Sequence, residues 1–274
     1  MKKSISVLLW VVVVLLSGRS YSQTQGVEKA KEVAPFCTCF IGYDMPLANQ
    51  KKDSLSGLQG FYYEIAEEMA KRINRPLSPY YVLHAFYGRP IRKGLLENHC
   101  EAQFGLPRLN GDWYIPKKVA LTQALTSIGF AIVAPKGMKI TSLEDLKGKT
   151  VAVQIGSPPY IALSQQGGSH FLFQTDAEPA MKAFAEGKSD VAFIWGPVAG
   201  YLNKYRYNNA YQVIATEYTW EVAVAVTAEN QELKTKLNQL ISDMQGFIKE
   251  EEVKYGFPTG SLIPIPEEAK HPNK

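Results

Sequence analysis

Cys37, Cys39 and Cys100 are the only cysteines, and their setting poses the first chemical question. Cys37-Thr38-Cys39 and His99-Cys100 could ligate a metal or supply a disulfide. Three cysteines and four scattered histidines lack the second cluster of a zinc scaffold, and one thiol is left over however the others pair. Arg108 follows Gly105-Leu106-Pro107 and offers a planar fork to a carboxylate, or merely a solvated surface charge. Gly156-Ser157 precedes Pro158-Pro159. That pattern opens a helix whose first N–H groups and hydroxyl suit an anion, and it equally suits a plain N-cap. Gln154 ends the strand before it and joins the same candidate set. Trp195 carries a large apolar area and one N–H donor. With Tyr160 and Tyr43 it would line an aromatic cleft, or it is core. Glu221, Asp44 and Arg108 are the candidates for acid–base work, but no spacing singles out a convergent set. Gly148-Lys149-Thr150 is no phosphate loop, because Leu143 stands where its first glycine belongs. G-x-S-x-G, HExxH and EF-hand patterns are missing as well. The expectation is a binding protein with no catalytic residues, no metal site and no cofactor of its own.

These side chains must be held by alternating strands and helices. Strands are expected at Cys37–Tyr43, Tyr80–His84, Glu101–Leu106, Gly129–Ala134, Val151–Gln154, Val191–Trp195 and Val222–Val226. Phe61, Ile65, Met69 and Ile73 recur on one helical face within Gly60–Ile73. Pro90–Asn98, Val198–Tyr205 and Glu178–Glu186, the last closed by Gly187, read as further helices. Leu233, Leu237, Leu240, Ile241 and Met244 mark one long amphipathic helix. Such alternation predicts an α/β fold with largely parallel sheets, in two sections of about a hundred residues each. The Gly196-Pro197 turn places Trp195 at the carboxyl end of a strand, where ligands gather in α/β proteins. Trp113, Tyr114 and Trp220 fall in loops or crossings and could anchor a partner protein.

At 274 residues and 46% apolar, the chain has material for a real core and about two compact units. Lys2 and Lys3 precede an unbroken apolar run from Val7 to Leu16, too short to span a bilayer but fit for a secretory signal. Ser20 and Ser22 are the small residues at a cleavage site before Gln23. Residues 1–22 are therefore expected to be a signal peptide and 23–33 a flexible lead-in. Without Lys2, Lys3 and Arg19, 27 of the 30 basic residues face 26 acids, a net charge of +1. So small a net charge carries no basic field for nucleic acid. No later segment is long and apolar enough for stable membrane insertion, so the mature chain is expected to be soluble and exported, where disulfides persist.

Two strings place the chain beside a known superfamily. Ser142-Leu143-Glu144-Asp145-Leu146-Lys147-Gly148-Lys149-Thr150-Val151-Ala152-Val153 runs on to Gly156-Ser157. Ala185-Glu186-Gly187-Lys188-Ser189-Asp190-Val191-Ala192-Phe193 follows. Together they resemble the type II periplasmic solute-binding proteins of family 3. Trp195-Gly196-Pro197-Val198-Ala199-Gly200-Tyr201 narrows the resemblance to the branch associated with quinoprotein dehydrogenases. That branch includes the MxaJ/XoxJ-type accessory proteins of periplasmic methanol dehydrogenases. Cys39 ahead of Pro46, Cys100-Glu101-Ala102-Gln103-Phe104-Gly105-Leu106-Pro107 and Lys254-Tyr255-Gly256-Phe257-Pro258 are similar to the same branch. Two positions depart from it: Ile41 stands for its usual aspartate, and Ala124-Leu125 for its Pro-Tyr.

The resemblance implies a two-lobed α/β fold with two hinge crossings, near Ala124–Gly129 and Tyr218–Val222. Lobe 1 would comprise 34–126 and 221–263, lobe 2 127–220, and 264–274 a C-terminal tail. It implies adjacency of the first and third strands, and with it a Cys39–Cys100 disulfide, although Cys37 shares a face with Cys39 and a swapped pairing stays open. It places Tyr43, Asp44, Arg108, Gln154, Gly156, Ser157, Tyr160 and Trp195 around an interlobe ligand. Trp195 occupies the region where amino-acid binders carry an acid for the ammonium, which counts against a zwitterion. The function implied is that of a periplasmic accessory to a PQQ-dependent methanol or alcohol dehydrogenase. It would bind a ligand or a dehydrogenase segment. The alternatives are an ABC-importer receptor for a small organic acid or aromatic compound, and a periplasmic dehydratase.

Overall fold

The computed structural model describes residues 33–42, 45–83, 89–108 and 115–265. The expected signal peptide, most of the lead-in, Tyr43, Asp44, His84, Trp113, Tyr114 and residues 266–274 lie outside the described residues. From Ala34 onward the chain forms one unit built on a single eight-stranded sheet. Its strands are β1 (Phe36–Ile41), β2 (Leu77–Val82), β3 (Ala102–Arg108), β4 (Val119–Pro135), β5 (Thr150–Gln154), β6 (His170–Gln174), β7 (Val191–Trp195) and β8 (Tyr211–Thr227). The helices are α1 (Phe61–Arg72), α2 (Arg89–Lys93), α3 (Pro158–Gln166), α4 (Ala177–Ala185), α5 (Gly196–Tyr205), α6 (Gln231–Asp243) and α7 (Gln245–Tyr255). None of the described helices is long and apolar enough to cross a membrane.

The sheet order is β2-β1-β3-β8-β4-β7-β5-β6. Each end is parallel: β2, β1 and β3 on one side, β7, β5 and β6 on the other. Between them β4 and β8 run antiparallel from Val119↔Thr227 to Pro135↔Tyr211. Each is 17 residues long, so the expected short strands and crossings are parts of two continuous strands. Three register shifts, at Leu121/Ala124, Ala124/Thr126 and Gly129/Ala131, break the alternation by which such strands are read from sequence.

The local signals that form the helices are visible. α1 buries Phe61, Ile65 and Met69 at four-residue spacing. Ser157 caps α3 with Pro158 next, Asp176 caps α4, and Gly187 takes the left-handed conformation just past it. The amphipathic helix expected from Leu233 to Met244 is α6, which ends at the fully buried Met244, and α7 follows at once. The largest core cluster joins the two sheet ends, uniting Phe40, Ile65 and Val224 with Val133, Ala192 and Tyr201. A second cluster gathers Ile132, Leu146, Leu163 and Phe193 under α3. A third packs Leu95, Leu106 and Val119 around the Cys39–Cys100 disulfide, whose Cα atoms are 5.6 Å apart. With Cys39 in the bridge, Cys37 is the odd thiol and Cys37-Thr38-Cys39 is not a free ligand pair.

Candidate functional site

The parallel strands β5 and β7 lie side by side, so the residues that follow them leave the sheet at the same end. Trp195 ends β7 and pairs with Phe130 of β4, while Trp220 of β8 pairs with Ile128. The register brings the two indoles together. They stack with centroids 5.1 Å apart and planes at 29°. Phe130 meets them edge-on at 5.4 Å and 6.0 Å, and Tyr218 meets Phe130 at 6.2 Å. Both tryptophans are half-buried, leaving an aromatic surface at the crossing of the sheet's two ends. Burial pushes the Tyr218 hydroxyl up to about 12, so it stays neutral at physiological pH.

Arg108 is the last residue of β3 and registers against Glu221 of β8. Their closest approach is 3.5 Å, and both are largely exposed. Such a pair contributes little and exchanges readily for another partner. Glu221 follows Trp220 directly, so the pleat turns the ion pair to the opposite face of β8 from the indole.

The remaining expected residues lie at the start of α3. Gln154 is exposed at the end of β5, and Gly156 has φ of +70° with open space around it. The Ser157 hydroxyl accepts the Tyr160 N–H at 3.4 Å, which is the capping use of that serine. The Tyr160 ring packs edge-on against Phe171 and Phe173, 5.2 Å from each, on the outermost strand β6. Thus Arg108 and Trp195 sit at the crossing, Gln154, Gly156, Ser157 and Tyr160 lie at the end of the neighbouring strand β5 and the start of α3, and Trp220 and Phe130 are the partners that sequence reading did not attach to Trp195. Tyr218 and Trp220, two apart on a strand, share one face, but no local pattern joins them to Trp195.

The strings Trp195–Tyr201 and Lys254–Pro258 also meet in space. Gly200 in α5 lies against Gly256 after α7. Tyr205 donates its hydroxyl to the Lys254 carbonyl at 2.7 Å, and Lys204 donates to the Val253 carbonyl at 2.8 Å. Tyr201 donates to the Asp53 carboxylate at 2.5 Å, with Ser56 Oγ also at 2.5 Å. Burial and the Asp53 carboxylate hold the Tyr201 hydroxyl well above its ordinary range. Tyr255 accepts the Gly60 N–H at 2.8 Å and donates to Glu64. These tyrosines tie the segment 53–60 to α5 and α7. Tyr201→Phe is expected to cost about 2 kcal/mol, because it leaves a half-buried carboxylate short of a donor. Urea unfolding measures it, and an unchanged midpoint would show the tether to be idle.

No protein-family model matches the chain, and no curated protein matches it in sequence. Solved structures do. MxaJ from Methlophaga aminisulfidivorans MPT superposes with a TM-score of 0.64 at 21% identity, covering 81% of this chain and 99% of that one. An ancestral cationic amino acid solute binding protein gives 0.68 at 21% identity, covering 81% and 96%. The second substrate binding domain of a putative amino acid ABC transporter from Streptococcus pneumoniae gives 0.66 at 18% identity, covering 81% and 99%. The chain has the two-lobed α/β fold of the type II periplasmic binding proteins.

Proposed function

We propose that this chain is an exported accessory protein of a PQQ-dependent methanol or alcohol dehydrogenase, without catalytic activity of its own. It holds a ligand or a segment of the dehydrogenase between a lobe of 34–126 with 221–263 and a lobe of 127–220. The observation that carries the reading is the Trp195–Trp220 stack; by the family resemblance, Trp195 takes the region where amino-acid binders carry an acid for the ammonium group. An indole pair provides apolar area and two N–H donors and cannot neutralise a cation as a carboxylate does. The end-to-end likeness to MxaJ and the Trp195–Tyr201 string support the same direction. The hinge crossings fall within β4 and β8, and ligand selects whichever lobe arrangement it binds more tightly. The site of action is the periplasm, with the signal removed near Ser22 and Gln23.

One observation favours a second reading, an ABC-importer receptor for a small organic acid or aromatic compound. Arg108 is held only loosely by Glu221 and could release it for a ligand carboxylate. A dehydratase would need Glu221 free to move protons, and Glu221 faces Arg108.

Pull-down from periplasmic extract of methanol-grown cells separates these readings. The tagged mature chain is expected to recover the quinoprotein dehydrogenase, and Trp195→Ala at least tenfold less. Recovery of no dehydrogenase, together with a thermal shift on adding a small organic acid, would replace the accessory reading with the receptor.

A further inference from the structure

A pocket lies at the crossing and shares Phe130 with the aromatic surface described above. It has a volume of about 280 Å³. β4 and β8 both contribute to it, as do the start of α5 and the segment after α7. That segment is fastened to β8: Glu217 donates its N–H to the Ile263 carbonyl at 2.9 Å, and Ile263 returns a bond to Ala215 at 2.9 Å. The fastening holds residues 257–262 beside the strands, and the register shift between Gly129 and Ala131 lies in the same wall.

The lining specifies the chemistry. Ile128, Ala215 and Phe257 are each more than nine-tenths buried and give an apolar interior. Ser127 and Thr219 are exposed and bring hydroxyls to the rim, and Leu262 stands at its edge. No charged side chain lines the pocket. A charged ligand would lose its hydration there without a counter-ion. An apolar cavity of about 150 Å³ already accepts benzene, so this one has room for a ring with a short substituent. We infer that this pocket binds a small uncharged ring compound bearing one hydroxyl, such as an aromatic alcohol. The ring sits on Ile128, Ala215 and Phe257, and its hydroxyl lies between Ser127 and Thr219. Because both crossing strands form the wall, occupancy favours the lobe arrangement in which the pocket is open. Phe130 lies between this pocket and the Trp195–Trp220 stack, and the variants below separate the two.

The test uses the mature chain with benzyl alcohol as the probe, followed by saturation-transfer NMR and titration of ring signals. Binding in the millimolar range is expected, with benzoate and benzylamine at least tenfold weaker. Thr219→Phe fills the rim from an exposed position and is expected to weaken benzyl alcohol at least tenfold. Leu262→Asp, which brings a charge to the edge, should do the same. No saturation transfer, or equal binding of the charged analogues, would overturn the proposal. So would binding abolished by Trp195→Ala but indifferent to Thr219→Phe, which would move the probe to the aromatic stack.

Discussion

Gly200→Ala unfolds at a much lower urea concentration than the unsubstituted chain, with an expected loss of about 3 kcal/mol or more. A Cβ at Gly200 would stand 1.8 Å from the Gly256 carbonyl oxygen and 2.8 Å from its carbon. Both are backbone atoms, so no rotamer change makes room, and α5 and the turn after α7 must move apart. Gly256 holds that turn with φ of +72°, closing α7 in the left-handed conformation. Separation of the two would also stretch the Tyr205 and Lys204 bonds and the Tyr201 tether to Asp53 and Ser56. Gly246→Ala supplies the contrast. Gly246 lies in α7, and a Cβ there meets nothing within 4 Å. Alanine at that position is expected to gain about 0.5–1 kcal/mol from helix propensity. If both variants shift the midpoint alike, α5 and α7 do not touch as described.

Loss of the Cys39–Cys100 bridge is the other large effect. The cysteines are 61 residues apart in sequence. Closing a loop of that length restricts the unfolded chain by about 4 kcal/mol. The double variant Cys39→Ala, Cys100→Ala is expected to lose about that much in urea. Single variants behave differently. Cys37 lies two residues from Cys39 on the same strand face, in the cluster that holds the bridge. Cys39→Ala therefore leaves Cys37 and Cys100 able to pair and is expected to show less free thiol than the two unpaired cysteines would give. Cys100→Ala has no such rescue by a third strand and should show both thiols. A double variant as stable as the parent chain would exclude the bridge from the folding balance.

Much of the architecture was legible because it is locally encoded. Phe61, Ile65 and Met69 declare α1 by spacing, Ser157-Pro158 the beginning of α3, and Gly187 the end of α4. The full extent of β4 and β8 was not legible, since three register shifts scatter the buried positions along them. β6 went unread although Gly167-Gly168 announce a turn before it. Five residues with two phenylalanines on one face are too short a signal. α7 went unread because only Ile248, Glu251 and Tyr255 are buried along its eleven residues, a sparse stripe that includes a charged position. At the crossing, Gly196-Pro197 marked Trp195 as the end of a strand. Its stacking partner Trp220 is set by register across β7, β4 and β8, and no local pattern carries that information.

β8 is the last strand among the described residues, yet it occupies the middle of the sheet, between β3 and β4. A growing chain that ends before Tyr211 has made seven strands and lacks the one that joins them. β3 and β4 then each expose an edge meant for the same absent neighbour. Because the joining contacts span most of the sequence, consolidation waits on synthesis of nearly the whole molecule. Truncation anywhere before Thr227 should therefore yield material for proteases and chaperones rather than a smaller working protein.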